Sequence, residues 1–142
     1  MSLEKILYTG QTVVTGGREG RAVSSDGILD VQLANPVELG GEGGLGANPE
    51  QLFAAGYSAC FLSALKLVAG KARVVFPEDS RIIGRVAMGT GPTGYGLEVE
   101  LSISMPGLSY EQAETPAEQA HQVCPYSNAI RGNADVALVI LN

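Results

Sequence analysis

The chain has 142 residues, 45% hydrophobic and 17% charged, which suits one folded domain over 1–142 with one core, a globule rather than a disordered chain. Its formal net charge is −6, so it lacks the basic face that a nucleic-acid backbone requires. Nineteen Gly and no Trp indicate many tight turns.

The opening, MSLEKILYTG, has no charged stretch followed by an apolar run, so no export signal is read and a cytoplasmic location is expected. Residues 6–14, 20–25 and 29–34 are predicted strands, separated by Gly-Gly and Asp-Gly turn signals. A loop follows over 35–47. Within it, GEGGLG at 41–46 matches the lettering of a dinucleotide fingerprint. No Asp or Glu lies between Gln51 and Phe76 to meet a ribose, so a flexible loop is the reading.

A helix is predicted from Pro49 to about Gly70. Asn48 is its N-cap, Pro49 its first residue, and Gln51 completes a capping box. Few of its residues are charged, so it is expected to be buried on most sides. Residues 52–69 make a poor membrane span: they fall short of the ~20 apolar residues required, and Lys66 interrupts them. The SALK at 63–66 matches a serine acyl-enzyme motif without its companion motifs. Ser63 reads as a packing residue and Lys66 as a side chain reaching water.

Two strands are predicted next, at 81–89 and 96–105. In the second, Leu97, Val99, Leu101, Ile103 and Met105 share one face, and Glu98, Glu100, Ser102 and Ser104 the other. This alternation marks a half-buried strand of antiparallel sheet. Residues 109–124 read as helix, capped by Ser109 and Gln112, with a kink or restart at Pro116 because proline removes a donor and clashes with the preceding turn. DVALVIL at 135–141 is a final apolar strand. The order βββ-α-ββ-α-β points to an α+β fold, antiparallel sheet packed on a hydrophobic helix.

Three residues are candidates for chemistry. His121, the single His, stands near Cys124 in HQVC, but a zinc site would need both cysteines, His121 and a carboxylate together; a helix-surface residue is the reading. Cys60 and Cys124 are the two cysteines. With no export signal, a permanent disulfide is not expected, which leaves cycling thiols or inert buried ones. Pro125 takes the backbone at Cys124 out of helical geometry. Cys60 lies too far along its helix for the dipole to lower its pKa, so a reactive Cys60 needs a cation from elsewhere in the fold.

The segments NPEQLFAAGYSACF and VCPYSNAIRGN resemble the two signature segments of the organic hydroperoxide resistance proteins, the Ohr branch of the Ohr/OsmC superfamily. The resemblance covers essentially the whole chain and implies an OsmC-like fold. It implies a thiol peroxidase without metal, haem or other cofactor. Cys60 matches the peroxidatic cysteine and Cys124 the resolving one. Arg18 matches the arginine that holds the thiolate, and Glu50 the glutamate that orients that arginine. It further implies an intertwined homodimer that reduces alkyl and fatty-acid hydroperoxides and is recycled by a dihydrolipoyl group on a lipoylated protein. Arg18 would then be the missing cation. Two other classes stay open: a module binding a small hydrophobic ligand with inert thiols, and a thiol redox sensor with little turnover. Pro116 departs from the continuous helix expected of relatives.

Spacing adds one inference. Glu50 and Cys60, ten residues apart on one helix, stand ~15 Å apart along its axis. Two such helices crossing antiparallel near Ala55, among the small residues Ala54, Ala55 and Gly56, would bring Glu50 of one protomer beside Cys60 of its partner. An isologous dimer with shared active sites is expected.

Overall fold

Asn48 starts the long helix as its side chain predicts. In the computed structural model, which describes residues 2–142, the Gln51 N–H donates to Asn48 Oδ1 at 2.8 Å and the Asn48 N–H donates to Gln51 Oε1 at 3.2 Å. This reciprocal box satisfies two donors the first turn leaves free. Helix α1 then runs Pro49–Lys71. The chain divides near its start into two units, one ending at Leu52 and the other spanning Phe53–Asn142.

The first unit is an antiparallel meander of β1 (Thr12–Thr15), β2 (Arg21–Ser24) and β3 (Asp30–Gln32). The turn from β1 to β2 is closed by glycine. Gly16 has φ 72°, and a Cβ on Gly20 would lie 1.6 Å from the Thr15 carbonyl oxygen, so only a residue without a side chain fits. Arg18 sits on this turn. The first strand is shorter than predicted: residues 6–10 lie outside any strand, and Ile6, Leu7 and Tyr8 are exposed. Their apolar letters suit a strand, but a strand also needs a neighbour for its N–H and C=O groups. The 35–47 loop is better anchored than its glycines suggest. Ala34 N–H donates to Ala47 O, Ala47 N–H to Gln32 O, and Gly43 N–H to Asn35 O, at 2.9–3.0 Å.

The second unit holds β4 (Arg81–Gly91), β5 (Gly94–Ser104), α2 (Tyr110–Val123), α3 (Pro125–Ile130) and β6 (Val136–Ile140). β4 and β5 form an antiparallel hairpin, while β6 pairs parallel to β5, Val99 opposite Val136. The second sheet is therefore mixed rather than purely antiparallel. The crossover through α2 and α3 returns the chain to the same end of the sheet before β6 begins. The alternation on β5 holds on its inner side: Val99, Leu101, Ile103 and Met105 are buried with Tyr57, Phe61 and Leu65 of α1. Each such side chain contributes about 1.5–3 kcal/mol by leaving water. On the outer side Ser102 is buried too. Gly84 on β4 lies against α1; a Cβ there would stand 2.2 Å from Ser58 Oγ and 3.1 Å from the Ala54 carbonyl oxygen.

Two expectations for the helices change. α1 is long and apolar enough, by composition, to cross a membrane, a test that core helices also pass. It is buried along one side only: Tyr57, Phe61, Ala64, Leu65, Val68 and Ala69 face the core, whereas Ala55, Ala59, Ser63, Lys66 and Leu67 are exposed. α2 runs through Pro116 without a break, after a capping box in which Gln112 N–H donates to Ser109 Oγ and Ser109 N–H to Gln112 Oε1. Pro116 lies on the inner face with Ala113, Ala117 and Ala120. Burial of its ring and the packing of that face offset the lost backbone bond, which in a free helix costs about 3 kcal/mol. Among the described residues the fold is α+β: two three-stranded sheets and one long helix.

Candidate active site

In the first unit, Arg18 reaches Glu50. Nη1 donates to Oε2 at 2.9 Å and Nη2 to Oε1 at 2.7 Å. This two-bond pairing fixes the plane of the guanidinium as well as its position. Arg18 holds the Glu50 carboxyl below its usual range, mainly through these hydrogen bonds and against the effect of burial. Glu50 in turn raises the Arg18 pKa. The turn that carries Arg18 and the helix start that carries Glu50 are thus joined through two residues the sequence places 32 positions apart.

In the second unit, Cys60 and Cys124 face each other with their sulfurs 3.8 Å apart. Both are free thiols; Cys124 is fully buried and Cys60 half-buried. A disulfide needs the sulfurs at ~2.05 Å, so bond formation asks for less than 2 Å of closure. Cys124 is the residue between α2 and α3. Its N–H donates to Ala120 O, its carbonyl accepts from Asn128 N–H, and its ψ of 125° breaks the helix ahead of Pro125. Burial pushes the Cys60 thiol pKa up, a hydrogen bond from the Tyr126 N–H opposes this, and Cys124 adds to the rise. Among the described residues of this unit, no cation offsets the burial.

Aromatic side chains pack in the same core cluster as the pair. Tyr57 stacks on Tyr126 with centroids 5.6 Å apart, and Phe53 meets Tyr126 edge-on at 6.0 Å. The Tyr126 ring crosses α1 at Gly56, where a Cβ would lie 2.6 Å from its hydroxyl oxygen. Gly56 thus has a task inside the chain, making room for Tyr126, while Ala55 stays exposed.

Sequence reasoning missed a polar chain beside the thiols. The Ser127 hydroxyl lies 2.6 Å from the Tyr57 hydroxyl and 2.8 Å from His121 Nδ1. Tyr57 and Ser127 are fully buried. His121 is half-buried rather than a surface residue, and burial, then Arg131, lowers its pKa. A neutral ring lets Nδ1 accept, and Ser127 then donates to it while accepting from Tyr57. No local signal betrays this chain, because Tyr57 and Ser127 are 70 residues apart.

The structure brings the four sequence-predicted residues together as two pairs, Arg18 with Glu50 and Cys60 with Cys124, each within its own unit. Residues 40–139 match the family described as OsmC-like protein. The organic hydroperoxide resistance protein of Xanthomonas axonopodis pv. citri is 55% identical over 139 residues, covering 98% of each chain. The crystal structure of an organic hydroperoxide resistance protein from Legionella pneumophila matches at 48% identity and a TM-score of 0.90, covering 96% of this chain and 98% of that one. A Vibrio cholerae structure, of a protein described in the same terms and with captopril bound in one of its active sites, matches at 38% identity and a TM-score of 0.90, covering 98% and 95%. The chain belongs to the OsmC-like family, in its organic hydroperoxide resistance branch.

Proposed function

We propose that this protein is a thiol peroxidase that reduces organic hydroperoxides to alcohols through Cys60 and Cys124. The observation that carries this reading is the 3.8 Å approach of two free sulfurs inside an apolar, aromatic setting. The Cys60 thiolate attacks the terminal peroxide oxygen. The O–O bond breaks, the alkoxide takes a proton and leaves as alcohol, and Cys60 becomes a sulfenic acid. Cys124 attacks that sulfur; its proton and the departing hydroxide leave as water, and a Cys60–Cys124 disulfide forms. A dithiol, in this reading a dihydrolipoyl group, restores both thiols by exchange. Rings beside Cys60 favour an alkyl tail over hydrogen peroxide, because the tail gains by leaving water.

Burial disfavours the Cys60 thiolate, so a cation beside it would favour the reactive form, and Arg18, oriented by Glu50, is the residue proposed. Because Arg18 is bonded to Glu50 of its own chain, the two would enter a shared site together. The proposed assembly is the homodimer in which Arg18 and Glu50 of one protomer serve Cys60 of its partner. Glu50 lies in α1, the condition that this crossing requires, and the exposed small residues Ala55 and Ala59 support close approach.

Two experiments test the reading. Turnover of an alkyl hydroperoxide with a lipoyl dithiol should be present in the wild type and absent in Cys60→Ser; free thiols by peptide mass after one equivalent of peroxide would sink it. Mixing Cys60→Ser with Glu50→Ala subunits should restore activity above both parents, since one site of a mixed dimer then carries both lesions. No recovery would refute site sharing.

A further inference from the structure

We propose that Ser127 is a positioning residue for the thiol pair: its hydroxyl, bonded at once to Tyr57 on α1 and His121 on α2, sets the reach of Cys124 to Cys60. The inference rests on the reading of the two cysteines as a redox pair.

Cys124 occupies the one residue between α2 and α3, buried in the core, so its place is set by how the bend between the two helices is held. His121 stands three residues before it and Ser127 three after. Both ends of this bend converge on one hydroxyl, at 2.8 Å and 2.6 Å from its partners. The anchoring partner, Tyr57, is three residues before Cys60, so the two lie on the same side of α1, one turn apart. A closed circuit results: Tyr57 to Ser127 through the hydrogen bond, Ser127 to Cys124 along the first turn of α3, Cys124 to Cys60 across 3.8 Å, and Cys60 back to Tyr57 along α1. Arg131 fastens the outer side of the bend. Its guanidinium donates to the His121 carbonyl and, at 2.6 Å, to Asn128 Oδ1.

Burial makes the circuit selective. Tyr57 and Ser127 have no exposed surface, so water cannot replace a lost bond and the groups keep their mutual geometry. A hydroxyl with one proton and two lone pairs can serve a donor and an acceptor together, which an amide or a methyl in that position cannot do at the same reach. Disulfide formation accepts a narrow range of sulfur and Cα separations. The circuit holds the reduced pair near that range, so the step in which Cys124 displaces hydroxide from the Cys60 sulfenic acid starts from a prepared geometry.

The test measures the Cys60–Cys124 disulfide against a dithiothreitol redox buffer, by alkylation and mass, in folded wild type, Ser127→Ala, Tyr57→Phe and the double variant. Each single change removes one oxygen, and Tyr57→Phe is the mildest. Both should lower the effective concentration of the thiol pair about tenfold, the equivalent of a buried hydrogen bond lost on one side. The double variant should fall no further than either single, because both break one circuit. Under alkyl hydroperoxide, Ser127→Ala should also accumulate dimedone-trapped Cys60 sulfenic acid. An unchanged effective concentration in folded variants, or single effects that multiply in the double, would overturn the proposal. The equilibrium uses no peroxide, so a wild type that fails to consume hydroperoxide strikes the peroxidase reading alone.

Discussion

Replacing Gly56 by alanine sets two effects of known sign against each other. Alanine in a helix interior is favoured over glycine by about 1 kcal/mol. The new Cβ would lie 2.6 Å from the Tyr126 hydroxyl oxygen, 3.2 Å from Cζ and 3.5 Å from Cε2, an overlap of ~0.8 Å against ordinary carbon contacts. Tyr126 is 38% exposed, so the ring can slide outward. In doing so it gives up its stacking on Tyr57 and its edge contact with Phe53, aromatic pairs worth about 0.5–1.5 kcal/mol each. The net expectation for Gly56→Ala is a destabilisation of about 0–2 kcal/mol. Tyr126→Phe removes the atom that clashes hardest. In that background the same alanine should stabilise by about 0.5–1 kcal/mol. The assay is urea unfolding of the four reduced proteins, with equal slopes required before midpoints are compared. A coupling of about 0.5–3 kcal/mol is expected, whereas additivity within about 0.3 kcal/mol would refute the claim that Gly56 is there for Tyr126.

Other outcomes follow from the same geometry. Cys124→Ser should still consume one equivalent of hydroperoxide but stop at a sulfenic acid on Cys60, visible as a trapped adduct by mass; a variant with normal dithiol turnover would remove Cys124 from the mechanism. Glu50 has a folded pKa below its ordinary value because of Arg18, so its contribution to stability is fully present above the ordinary carboxylate range and is lost as pH falls through the depressed value. Acid titration should therefore show a stability loss in that window that Glu50→Gln lacks, and equal acid profiles would contradict it. Gly84→Ala should destabilise by about 1–3 kcal/mol through overpacking against α1, and Ser58→Ala should relieve most of that loss in the double variant. Ser58→Ala alone, which removes a buried hydroxyl without a partner, should be neutral or stabilising in thermal unfolding.

Local chemistry made much of this legible in the sequence. Asn48 and Gln51, like Ser109 and Gln112, announce helix starts because the capping groups lie three residues apart, and both boxes form. β5 is readable because alternation has a period of two and needs no knowledge of the partner strand. Partnership itself is non-local, and there the reading failed. Residues 6–10 have strand-like side chains with no adjoining strand, and the parallel entry of β6 depends on a crossover no short window contains. Pro116 looked like a break because its packing face lies on other elements. The roles proposed for Cys60, Cys124, Arg18 and Glu50 rest on the resemblance of their motifs to the family; periodicity alone leaves the thiols undecided. Ser127 stood inside a quoted motif, yet its task depends on Tyr57 and His121, which only the fold brings to it.

The parallel pairing of β5 and β6 has a kinetic side. Residues 105–135 must fold back before Val136 can meet Val99, and long-range pairings of this kind form slowly because a large loop is closed before any contact rewards it. Cys124 lies inside that loop. We expect the thiols to meet in the same late event that seats the final strand, because a chain whose α2–α3 excursion is still open has a Cys60 with no second sulfur beside it. In refolding, the rate at which the pair becomes oxidisable to a disulfide should follow the completion of the sheet, making the two sulfurs a clock for the fold's last step.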